Sequence, residues 1–63
     1  MKKLDGFQKW VAQQMLLVTP KKMFRKSMSD ESKIYFYESV CHRACLRMES
    51  EDVKAAFNFL MDN

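Results

Sequence analysis

The stretch SDESKIYFYESVCHRAC, residues 29–45, decides the fold class. Ser29 followed by Asp30 and Glu31 marks a helix start, because a serine hydroxyl accepts an orphan N–H of the first turn and the helix dipole favours acids there. Beyond it, Ile34, Tyr37, Cys41, Ala44 and then Met48 recur at steps of three and four residues, and Phe36 and Val40 form an adjacent i, i+4 pair. The spacing predicts an amphipathic helix with Ile34, Tyr37, Cys41, Ala44 and Met48 on its inner face.

Downstream, Ser50 with Glu51 and Asp52 repeats the capping signature, and Val53, Ala56, Phe57 and Leu60 form a last amphipathic stripe. No glycine forces a break near 49, but the second cap favours two helices over one rod. Upstream, Leu4, Phe7, Val11, Met15 and Val18 make another stripe, widened by Trp10 and Leu17, which predicts a helix over 3–17. Gly6 costs about 1 kcal/mol against alanine inside a helix, so the first turn frays or starts late. Thr19-Pro20 reads as a cap and restart, opening a short helix over about 20–27 with Met23 and Phe24 inward and Lys21, Lys22, Arg25 and Lys26 around the rest.

One Gly and one Pro in 63 residues leave almost nothing for hairpin turns. The expectation is a single all-α domain spanning 1–63, a small bundle of three to four short amphipathic helices. A chain this short buries only about 60% of the surface its unfolded form exposes, and such cores rarely supply more than about 3–5 kcal/mol. Dimerisation is the expected way of completing the bundle, giving a homodimer.

The net charge of +3 conceals an asymmetry. Residues 1–28 hold seven Lys and Arg against Asp5, a balance of +6, whereas residues 29–63 hold four against seven acids, a balance of −3. This polarity suits an acidic partner for the N-terminal half, or head-to-tail self-association. Asp5, Gln8, Lys9, Gln13 and Gln14 interrupt the apolar residues near the start, so no signal-peptide core forms, and no run of about 20 apolar residues is present. A cytoplasmic protein without a membrane role is expected, with both cysteines reduced.

Cys41 and Cys45, four apart, would share a helix face about 6 Å apart. That is half of a structural zinc site, and His42, rotated by about 100°, cannot complete it. No base and orienting acid accompany either thiol as nucleophilic catalysis requires. The expectation is therefore no catalytic residue, no metal and no cofactor, with both cysteines packed in the core. Tyr35, Phe36 and Tyr37 span too much of the helix circumference for one core face, so Tyr35 is the candidate for an interface. The run KKMFRK supplies clustered cations, which suit an acidic protein surface or, as the alternative, nucleic-acid phosphates. The candidate partner-binding residues are Lys21, Lys22, Arg25, Lys26, Tyr35, Arg43 and Arg47.

Residues 29–43, SDESKIYFYESVCHR, resemble the central helix of the Hha/YmoA family of small enterobacterial expression modulators, with Ser29-Asp30, Phe36-Tyr37 and His42-Arg43 at the family's spacing. The preceding TPKKMFRK is similar to the family's short helix. Cys41 stands where the family has an acid before His-Arg, and the C-terminal segment is unlike the family's. The resemblance implies a four-helix regulator that binds the nucleoid-structuring protein H-NS with little DNA affinity of its own, through Arg43, Lys22 and Arg25. The function expected is a small non-enzymatic regulator or inhibitor acting by protein–protein binding, of a size that phages and mobile elements encode. The alternative is a transcriptional regulator that binds nucleic acid directly through residues 21–26.

Overall fold

The computed structural model describes residues 3–62. They form an all-α bundle of three helices, α1 (Gly6–Val18), α2 (Asp30–Arg43) and α3 (Glu51–Asp62). The short helix expected over 20–27 is instead one 3-10 turn, Lys21–Met23, followed by an irregular segment. Eight residues lie below the length at which a helix holds without strong packing. The backbone at Phe24 turns extended (φ −82°, ψ 96°), which puts its ring in the core while Met23, expected inward, is exposed.

α1 begins at Gly6 rather than at residue 3 because Asp5 caps it. Gln8 N–H donates to Asp5 Oδ1 at 2.8 Å and Asp5 N–H donates to Gln8 Oε1 at 3.2 Å, a reciprocal capping box. Gln8 also donates through Nε2 to Asp52 Oδ1 at 3.0 Å, tying this end of α1 to the first turn of α3. At the far end Thr19 closes α1, its N–H donating to the Met15 carbonyl, and does not start the next element. Pro20 has no amide hydrogen and disfavours helix at the residue before it, so α1 stops there. Thr19 is buried, and its Oγ1 has no hydrogen-bond partner among the described residues.

α2 starts where the sequence predicts, with Ser29 Oγ accepting from Ser32 N–H at 3.3 Å. It ends at Arg43, earlier than a stripe running to Met48 requires. Ala44 is the C-cap, Cys45 takes a left-handed conformation (φ 57°), Leu46 N–H donates to the Cys41 carbonyl at 2.9 Å and Cys45 N–H to the His42 carbonyl at 3.2 Å. This is a Schellman closure with cysteine in the place usually held by glycine. Helices α2 and α3 are thus separate, as the cap at Ser50 suggested.

The core joins all three helices. Val11 and Met15 of α1, Val40 and Cys41 of α2 and Ala56 of α3 are fully buried, with Phe24, Phe57, Leu60 and Met61 closing around them. α1 lies closest to α3, whereas α2 and α3 meet mainly through aromatic rings. Phe57 is the hub, with centroids 5.8 Å from Phe24, 5.8 Å from Phe36 and 4.9 Å from Tyr37, while Phe24 and Phe36 stand 5.1 Å apart. Mostly edge-on contacts of this kind add about 0.5–1.5 kcal/mol per pair to the burial of the rings. The expected inner face of α2 is therefore revised: Ile34 is largely exposed, Met48 lies beyond the helix and is also exposed, and Phe36, Tyr37, Val40 and Cys41 face inward.

Candidate partner-binding surface

Two cations of segment 21–26, Lys21 and Lys26, reach the C-terminal end of α3. Lys21 Nζ donates to the Leu60 carbonyl at 3.4 Å and Lys26 Nζ lies 3.7 Å from Asp62 Oδ1. The last carbonyls of a helix are orphan acceptors carrying partial negative charge, so cations are favoured there. Both partners of the Lys26–Asp62 pair are about two-thirds exposed, and water and salt leave such a pair little net energy. Arg25 Nε donates to the Lys22 carbonyl at 3.5 Å, and both side chains remain exposed. Part of the basic run therefore fastens the connection to α3, and the segment offers one 3-10 turn where a groove-reading helix would be needed.

The other sequence candidates lie along α2. Tyr35 is 80% exposed and its neighbour Ile34 60%, so this part of α2 presents two large apolar side chains to solvent. Arg43, two turns further on, folds back to donate to the Ser39 carbonyl at 3.4 Å and to Ser39 Oγ at 3.2 Å. Arg47 is exposed in the connection to α3. The seven candidates thus form two basic groups near opposite ends of α2, with Tyr35 between them.

Between α2 and α3 runs a groove of about 320 Å³ lined by Ile34, Tyr37, Phe57 and Met61 together with Lys26, Lys33, Lys54, Asn58 and Asp62. The ring-to-ring contacts of Tyr37 and Phe36 with Phe57 hold the two helices apart and leave the groove open. Of the sequence candidates only Lys26 belongs to it. Lys33 and Lys54 were legible only as isolated charges, although Lys33–Tyr37 and Lys54–Asn58 are i, i+4 pairs beside apolar residues, the signal of a charged rim.

A second apolar surface lies on α1. Phe7 and Trp10 stack with centroids 6.0 Å apart and an interplanar angle of 21°, and both are about half exposed, with Leu17 further along at 78%. Phe7 belongs to the α1 stripe read from the sequence and Trp10 and Leu17 widen it, but α3 and α2 cover only the arc carrying Val11, Ala12 and Met15, so Phe7, expected inward, lies outside the core.

The cysteines do not act together. Cys41 is fully buried, and burial pushes its thiol pKa up. Cys45, expected in the core, is exposed because the left-handed turn swings it off the helix face. The shared-face geometry that would offer two thiols to zinc is therefore absent, and among the described residues no three His, Cys, Asp or Glu side chains gather as a metal site. The Tyr37 hydroxyl donates to the Met48 carbonyl. Its pKa is held well above the usual 10.0, first by burial and then by the adjacent Cys41 thiol.

No helix of the described residues is long and apolar enough to cross a membrane. No family model, curated protein or solved structure matches the chain.

Proposed function

We propose that this chain is a small, non-enzymatic cytoplasmic regulator that acts by binding an acidic protein surface and that pairs with a second copy of itself. What supports this reading most is the exposed apolar surface: among the described residues, eight large apolar side chains are more than a third exposed, Leu17, Ile34 and Tyr35 by 60% or more. Apolar surface gathered beside cations is typical of protein-binding faces. Lys21, Lys22, Arg25 and Lys26 at one end of α2, and Arg43 and Arg47 at the other, supply the positive potential, with Tyr35 as the aromatic contact between them. The resemblance of residues 29–43 to the Hha/YmoA family points the same way. The α1 stripe of Phe7, Trp10 and Leu17 is the surface assigned to self-association.

Two measurements test the reading. Titrating the chain against a fluorescent DNA duplex at rising salt should give at most weak binding at physiological ionic strength; submicromolar affinity that falls steeply with salt would identify a nucleic-acid binder instead. Sedimentation over a range of concentrations should show a dimer that Trp10→Ser weakens, and a clean monomer at high micromolar concentration would remove the dimer.

A further inference from the structure

We infer that the groove between α2 and α3 is the docking site for an acidic amphipathic helix of the partner protein, an inference that rests on the protein-binding reading above. Ile34, 60% exposed, is the apolar side chain the groove presents most openly, above a floor formed by Tyr37 of α2 and the largely buried Phe57 and Met61 of α3. Three ammonium groups, those of Lys26, Lys33 and Lys54, stand around it against one carboxylate, Asp62. Asp62 already faces Lys26 at 3.7 Å, so Lys33 and Lys54 are the cations that a docking acid meets first. An occupant must therefore bring apolar side chains and negative charge on the same face.

Nucleic acid brings the charge without the apolar side chains. It would bind by stacking bases on open rings, but Phe57 is only 6% exposed and Tyr37 turns its ring against it. An α-helix meets both requirements. The apolar lining spans one turn of each helix, Ile34 to Tyr37 and Phe57 to Met61, a length that accepts two or three side chains spaced i, i+3 or i+4. Acids one position to either side of that stripe reach Lys33 on one bank and Lys54 on the other. Ile34, 60% exposed in the free chain, gains burial when the groove fills.

The test is selection from a library of randomised 16-residue peptides on the immobilised full chain, followed by amide-shift mapping of the winners on the isotope-labelled protein. Enriched peptides should carry Asp or Glu flanking an apolar pair at helical spacing, and their shifts should concentrate at residues 33–37 and 57–61. The double variant Lys33→Glu/Lys54→Glu should weaken them about tenfold or more, the scale of two rim ion pairs turned into repulsions. Ile34→Ser, which leaves the charges intact, should weaken them as well, and circular dichroism confirms that each variant is folded. Winners that are neutral or basic, or that bind folded variants and parent alike, overturn the inference. Acidic winners whose shifts fall on Lys22, Arg25, Arg43 or Arg47 overturn the groove and leave the protein-binding reading standing. Failure to enrich any acidic peptide, with DNA alone shifting the groove lysines, overturns both.

Discussion

Replacing Cys45 by glycine should stabilise the protein, although glycine weakens the interior of a helix. Cys45 sits at φ 57° in the closure after α2, where Leu46 N–H reaches back to the Cys41 carbonyl. A side chain in the left-handed region costs roughly 1–2 kcal/mol, which glycine avoids. Glycine in turn loses about 0.5–1 kcal/mol more backbone entropy on folding than other residues. The balance is centred on a gain of about 0.75 kcal/mol, and in a domain of this size that raises Tm by roughly 3–6 °C. Cys45 is exposed, so its side chain contributes little packing to set against the gain. Thermal unfolding followed by far-ultraviolet circular dichroism, in reductant, measures the difference. Cys45→Ala should change little, since alanine bears the same left-handed cost, and Cys45→Asn should fall between the two. If Cys45→Gly instead lowers stability by the ~1 kcal/mol that glycine costs inside a helix, residue 45 is helical and the separation of α2 from α3 is wrong.

Phe57→Ala removes the hub of four aromatic rings at a cost of about 3–5 kcal/mol, comparable with the whole stability expected of so small a core; its circular dichroism should be that of a largely unfolded chain at 25 °C, and a cooperative melt near the parent's would refute the aromatic core. Thr19→Val should be neutral or stabilising by about 1 kcal/mol in urea titration, because the buried Oγ1 has no hydrogen-bond partner to lose. Tyr37→Phe deletes the hydroxyl that donates to the Met48 carbonyl and should cost about 1 kcal/mol at pH 7. The folded phenol holds its proton more tightly than the unfolded one, so its contribution is complete below pH 10.0 and declines as the pH rises beyond it. The stability gap between parent and Tyr37→Phe should therefore narrow above pH 10, and a gap that widens there would contradict the burial of the phenol.

The residues at which the reading from sequence and the structure part company share a cause. Ser29 and Ser50 lie just before helices that begin as expected, since capping depends on atoms within a few residues of one another. Asp5 and Gln8 carry a capping box equally local, and it moves the start of α1 to Gly6 from residue 3, where the apolar stripe alone would place it. Ile34 departs from the expectation because periodicity marks the apolar residues of a helix without saying which arc its neighbours will cover, and Cys45 departs because the left-handed closure after Arg43 takes it off the helix face. For the candidate surface, the basic run 21–26 and Tyr35 were legible from charge and aromatic crowding. Lys33 and Lys54 were not, because they become one rim only when α2 and α3 are set side by side.

By itself the sequence determined the all-α class, the helix starts at Ser29 and Ser50, the end of α1 before Pro20 and the concentration of positive charge in the N-terminal half. These follow from propensity, capping and composition, which act over a turn or two of chain. Only the tertiary structure decided that Phe24 leaves a would-be helix to join Phe36 and Phe57, that Phe7, Trp10 and Leu17 stay outside, and that α2 and α3 stand a ring's width apart with a lysine-rimmed groove between them. Those outcomes depend on which of several equally apolar arcs finds a partner, a competition settled by three helices packing at once.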